Sequence, residues 1–128
     1  METIETIIQW HRETFPDATF EGQQQKWEDE FQEFCDSGIK DISELADMFI
    51  VACGIARFDS IGALGFFVSI SRFVGTKYDE LRNAVQEKMK INRARKWDFA
   101  GGKYQHIAGK GSSPAADMGS GIGGQSNK

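Results

Sequence analysis

The sequence predicts an all-α bundle of about four to five helices followed by a flexible C-terminal tail, and three observations predict it. Apolar residues recur at three- and four-residue steps through most of the first 96 positions, the spacing of one face of a helix. Stop signals at Phe15-Pro16-Asp17, Ser37-Gly38 and Gly75 divide those stretches into helix-sized pieces. From Gly101 onward the composition turns to Gly, Ser and Ala, with too few large apolar groups to bury a surface of their own. The expected organisation is one helical domain over residues 1–107 and a Gly/Ser-rich tail over 108–128.

The first helix runs from Thr3 to Thr14, with Ile4, Ile7, Ile8 and His11 at helical spacing. The second begins near Glu21 or Gly22 and reaches Asp36, its apolar stripe formed by Trp27, Phe31 and Phe34. A third is capped by Asp41 or Ser43, and from Met48 to Ala56 it is apolar on every side, which predicts burial all round. Ile61 to Val74 reads as a fourth helix, interrupted by Gly62 and Gly65 and suited to a subunit interface, with Gly75 as its stop. Tyr78 to Lys96 is the longest, with a stripe of Leu81, Val85, Met89 and Asn92.

At 128 residues the chain is long enough for one core and too short for two. A net charge of −4 excludes a globally basic nucleic-acid footprint. The two cysteines, Cys35 and Cys53, fall in apolar helical stretches and read as reduced, buried small hydrophobes. The first ten residues lack the pattern of a signal peptide. Arg57 and Asp59 break the apolar run of residues 48–74 before it reaches the roughly 18 to 20 residues of a membrane helix. The expected location is the cytoplasm.

Chemistry concentrates in two acidic pairs, Glu30-x-x-Glu33 and Glu44-x-x-Asp47. A three-residue step keeps both carboxylates of a pair on one face of a helix, where like charges repel by roughly a few tenths of a kcal/mol. Glu30 and Glu33, with Lys26, flank the apolar stripe of the second helix about 100° round from it. Asp47 shares a face with Val51 and Ile55 on the all-apolar third helix, so it is expected to point into protein, where an unpaired carboxylate is expensive. Clustered oxygen ligands suit Mg²⁺ or Mn²⁺, ions that commonly accompany phosphate-bearing substrates.

The last helix carries Lys88, Asn92 and Arg95 at i, i+4 and i+7. Such a face can donate to phosphate oxygens, or it can be a solvated basic end complementing the helix dipole. Lys26 stands open between a triphosphate contact and a solvated lysine. Trp10, Trp27 and Trp97 are open between base stacking and core packing.

These residues resemble the MazG-like all-α nucleoside triphosphate pyrophosphatases. The family's Glu-Glu-x-x-Glu segment is matched by Asp29-Glu30-Phe31-Gln32-Glu33, and its Glu-x-x-Asp by Glu44-Leu45-Ala46-Asp47. Lys88 to Trp97 is similar to its basic Lys-x-x-x-Asn-x-x-Arg helix, and Ile8 to Pro16 looks like the opening of small members from bacteriophages and bacteria. Two departures stand out: Asp29 replaces the first Glu, and the connection from Glu33 to Glu44 is short. The resemblance covers residues 4 to 107. It implies Mg²⁺- or Mn²⁺-dependent hydrolysis of the α–β phosphoanhydride of (deoxy)nucleoside triphosphates, giving monophosphate and pyrophosphate, with a lean towards purines (dGTP/GTP or dATP). It also implies a homodimer or homotetramer, in the host cytoplasm for a phage-encoded protein. The implied metal ligands are Glu30, Glu33, Glu44 and Asp47, with Glu33 as the candidate general base. Lys88, Asn92, Arg95 and Lys26 are the implied phosphate or sugar contacts. The alternative is a non-catalytic helical module that holds nucleic acid or an acidic partner through Lys88 to Lys96.

Overall fold

The computed structural model describes residues 1–100 and 103–107, with side chains through Trp97. Five helices follow one another: α1 (Ile4–Thr14), α2 (Phe20–Asp36), α3 (Ile42–Ala56), α4 (Ala63–Val74) and α5 (Tyr78–Ala94). The all-α bundle expected from periodicity is borne out, and no helix among the described residues is long and apolar enough to cross a membrane. The tail expected at 108–128 lies outside the described residues.

Local chemistry sets the helix starts. Thr3 accepts from the Thr6 amide while the Thr6 hydroxyl accepts from the Thr3 amide, a reciprocal cap. Thr19 accepts from Gly22 N at the start of α2, and Asp41 accepts from Ser43 N at the start of α3. Between α2 and α3 the chain turns sharply through Gly38 (φ +88°) and Ile39 (φ +61°). Glycine takes that region freely, but a β-branched residue does so under strain. The amide of Ile39 donates to Phe34 O at 3.1 Å, which anchors the turn to the end of α2.

Residues Met1–Asn92 form one compact unit with α3 at its centre. Met48 and the run Ile50 to Ile55 of α3 are all buried, as an all-apolar helix requires. Helices α1, α2 and α4 pack on α3. Ile7 enters the core from α1, Trp27 and Phe34 from α2, Ala63, Ile70 and Val74 from α4, and Leu81, Val85 and Met89 from α5. Edge-on aromatic pairs join the layers: Trp27 with Phe66 at 4.7 Å between ring centroids, Phe34 with Phe73 at 5.2 Å, and Phe49 with Phe67 at 5.3 Å. Trp10 and Trp27 are buried, which makes both part of the core. Cys53 is fully enclosed and burial pushes its thiol up to about 12, whereas Cys35 is only half-buried.

A polar cluster missed by sequence reasoning ties α1, α2 and α3 together. Arg57, at the end of α3, donates to Phe15 O at 2.7 Å, His11 O at 3.3 Å and His11 Nδ1 at 3.1 Å. Because a guanidinium can only donate, Nδ1 accepts and the neutral ring carries its proton on Nε2. That proton faces Gln23 of α2, with which His11 is hydrogen-bonded. Both side chains lie against Gly54 of α3: a Cβ there would come 2.5 Å from Gln23 Oε1 and 2.8 Å from His11 Nε2. Burial first, then the Arg57 charge, lowers the His11 pKa to about 4.

The described residues from Arg93 onward belong to a second unit. Here the structure departs from expectation: α5 ends at Ala94 rather than Lys96, and β1 (Lys96–Ala100) pairs antiparallel with β2 (Lys103–Ile107), Lys96 opposite Ile107 and Trp97 opposite His106. The alternation of Trp97 and Phe99 and the Gly101-Gly102 pair in the sequence are the hairpin signals that the helical reading passed over.

Candidate functional site

On α2, steps of three and four residues line up Gln23, Lys26, Glu30 and Glu33. On α3, Glu44 lies in the first turn, where the helix dipole favours a negative charge, and Asp47 follows one turn later. The sharp connection through Gly38 and Ile39 folds these two acidic faces onto each other.

Glu30, Glu44 and Asp47 converge. One carboxylate oxygen from each lies within 4.8 Å of the other two, the only such group of potential metal ligands among the described residues. Oε1 of Glu30 and Oε1 of Glu44 are enclosed and have no hydrogen-bond partner. A buried acceptor left unpaired costs free energy. Two such atoms beside a third carboxylate make a donor set of hard oxygens that fits Mg²⁺ or Mn²⁺.

Glu33 stands beside this set rather than in it, close enough to Glu44 for the two side chains to shift each other's ionisation. Burial, then Asp47 and Glu33, pushes Glu44 up to about 7. Burial, then Asp47, also raises Glu33. Glu30 is raised well above the usual carboxylate range by burial first and then by Asp47 and Glu33, with Lys26 offsetting part of the effect. Without a cation, the cluster holds protons at pH values where isolated carboxylates have lost them.

One cation does reach in. Lys88 of α5 donates from Nζ to Asp47 Oδ2 at 3.1 Å, each side chain only about one-quarter exposed. Burial on its own would lower Lys88, but Asp47, by charge and hydrogen bond, with Glu44 and Glu30, more than offsets it and leaves the ammonium raised. Lys26 is half-buried on α2, close enough for its charge to act on both Glu30 and His11. Asn92 is half-buried one turn beyond Lys88, its amide 3.9 Å from Met89 Sδ.

Arg95 differs from expectation. Because α5 ends at Ala94, Arg95 is not on the helical face of Lys88 and Asn92. It belongs to the second unit, with its guanidinium 6.0 Å from the centre of the Trp97 ring.

No protein-family model, curated protein or solved structure matches this chain.

Proposed function

We propose that the chain is a metal-dependent nucleoside triphosphate pyrophosphohydrolase that cleaves the α–β phosphoanhydride of (deoxy)nucleoside triphosphates to monophosphate and pyrophosphate. The observation that carries this reading is the convergence of Glu30, Glu44 and Asp47, with two enclosed oxygens lacking partners, beside an inward-facing lysine. The bond cut and the lean towards purines (dGTP/GTP or dATP) rest on the resemblance of the acidic pairs and the basic helix to the MazG-like family.

Glu30, Glu44 and Asp47 would hold Mg²⁺ or Mn²⁺, which supplies, when bound, compensation for the negative charge gathering on the phosphate oxygens. Glu33 is the group best suited to take a proton. It adjoins the ligand set without belonging to it, and its raised pKa makes it a better base than an ordinary carboxylate. In the proposed step it accepts one proton of the attacking water, the new P–O bond forms at the α-phosphorus, and the bridging P–O bond breaks with pyrophosphate as leaving group. Lys88 and Asn92, one turn apart on α5, supply donors for phosphate or sugar oxygens. Lys26 adds positive charge on the α2 side. Arg95 is a phosphate contact on the resemblance alone.

Assembly into a homo-oligomer belongs to the same reading. Ile61, Leu64 and Val68 are exposed at and just before α4, an apolar surface that suits self-association.

The rival, a nucleic-acid or acidic-partner module using Lys88 to Lys96, needs outward-facing cations. Lys88 instead turns inward to Asp47, which withdraws it from that surface, while Lys90 stays exposed beside Glu87. The deciding experiment incubates the protein with each canonical NTP and dNTP in Mg²⁺ or Mn²⁺ and separates the products. Monophosphate and pyrophosphate are expected; inorganic phosphate and diphosphate would overturn α–β cleavage.

A further inference from the structure

Lys88 occupies the position of a counter-ion. Its ammonium meets Asp47 Oδ2 at 3.1 Å, and Asp47 supplies one of the three ligand atoms gathered within 4.8 Å. An ammonium has one charge and three donors. The one from Lys88 leaves the enclosed Oε1 atoms of Glu30 and Glu44 without a hydrogen bond. A divalent ion carries twice the charge and takes about six oxygen ligands, so it can satisfy all three carboxylates together.

We propose that Lys88 is the exchangeable counter-cation of the acid cluster: a divalent ion displaces its ammonium from Asp47, and the freed ammonium then serves as a donor to the polyphosphate. This deepens the metal-dependent reading above and rests on it. Metal and anion are thereby taken up as a coupled pair through one side chain.

Three features fit the exchange. Lysine carries its charge on a flexible four-carbon stem, so the head can move while α5 stays in place. The Lys88 side chain is 24% exposed, which leaves the head a route outward. The Asp47 carboxylate also carries a single negative charge, so an ion pair to Lys88 and a bond to a divalent ion each weaken the other. Without the metal, an incoming polyphosphate would have to remove Lys88 from Asp47 and then face several acids unshielded. With the metal, the lysine is already released and the acids are neutralised. By reciprocity, whatever the metal adds to anion affinity the anion adds to metal affinity.

The test follows the lysine itself. The full chain is prepared with ¹³Cε-labelled lysine, and the Lys88 signal is assigned by its loss in Lys88→Arg or Lys88→Gln. The probes are Mg²⁺ alone and then Mg²⁺ with an α,β-methylene nucleoside triphosphate. The Lys88 signal should leave its ion-paired position on Mg²⁺ alone and shift again when the analogue is added. In Lys88→Met, Mg²⁺ alone should bind at least as tightly as in the unsubstituted protein, and the gain in analogue affinity caused by Mg²⁺ should shrink about tenfold. If Mg²⁺ binds, as read by a rise in melting temperature, while the Lys88 signal stays in place, the exchange is wrong and the metal reading survives. If neither Mg²⁺ nor Mn²⁺ binds, the metal reading falls and takes the exchange with it.

Discussion

Glu33 near the end of α2 helps to raise the pKa of Glu44 at the start of α3 across the turn of residues 37–41, so the two acidic faces act on each other through charge. The proton that Glu44 keeps up to about pH 7 is what a divalent cation would have to remove. The two helices are held at this distance by a turn containing a strained Ile39, which binds the geometry of the acids to the shortness of the connection.

Metal binding should therefore depend on pH in a definite direction. Glu44 titrates at about 7 in the fold against 4.5 as an ordinary side chain. Below 4.5 both states hold the proton; as pH rises towards 7 the unfolded chain releases it first, so this group's contribution to metal-free stability declines. A cation competes for the same site and offsets that decline. The rise in melting temperature produced by a fixed Mn²⁺ concentration should be several-fold larger at about pH 7.5 than at about pH 5. A pH-independent rise would place the ion elsewhere.

Glu30→Gln should stabilise the metal-free protein at neutral pH and abolish metal-linked stabilisation. The native carboxyl is raised by burial and by its acidic neighbours, so holding it in the fold at neutral pH costs free energy. An amide removes that cost while keeping the shape. We expect a melting temperature higher by about 4 °C, the scale of about 1 kcal/mol in a domain of this size. Calorimetry with and without Mn²⁺ measures both effects, and a lower metal-free melting temperature would contradict the repulsion described for this cluster.

His11 should impose an acid limb of its own. Its pKa of about 4 lies below the ordinary 6.5, so the neutral form is the folded one. As pH falls from 6.5 the unfolded chain takes up the proton first, and stability is lost until the folded form titrates near 4, by up to about 3 kcal/mol. In the upper part of this window Glu44 works in the opposite direction, so the informative quantity is a difference. Urea unfolding of the unsubstituted protein and of His11→Asn across this range should give curves that converge on acidification. Parallel curves would acquit His11.

Gly54→Ala should destabilise, against the helix-propensity gain of about 1 kcal/mol. The new Cβ would press on Gln23 Oε1 and His11 Nε2, both already engaged with each other. Overpacking of this kind costs roughly 1–3 kcal/mol, so a net loss of about 1 kcal/mol is expected in chemical denaturation. A more stable variant would mean that the cluster yields easily.

Much of the fold was legible because it is local. Helices α1 to α5 followed from periodicity and from stops such as Ser37-Gly38 and Gly75, and burial of α3 followed from its lack of any polar side. The pairing of Glu30 with Glu33 and of Glu44 with Asp47 is likewise a matter of helical pitch. Which of the four acids would meet was not legible, because that depends on how α2 and α3 rotate against each other; Glu33 emerged as a neighbour of the ligand set. The partner of Lys88 depended on the docking of α5 in the same way. Nor did any spacing announce the union of His11, Gln23 and Arg57, which come from three different elements. A small residue near the end of a bulky helix, Gly54, was the only local trace of it.

Cys53 gives the molecule an internal clock. A thiol reacts as the thiolate and only where reagent can reach it, and this one is enclosed in the helix on which α1, α2 and α4 rest, with its ionisation pushed up to about 12. Labelling it requires the bundle to open, so at reagent concentrations where capture outpaces reclosing the rate at which a disulfide reagent captures Cys53 measures the lifetime of the folded state. Half-buried Cys35 sits two residues from Glu33 on α2 and is open to faster reaction in the same tube. The slow thiol times the whole bundle, and the faster one reports on the edge of the acidic face.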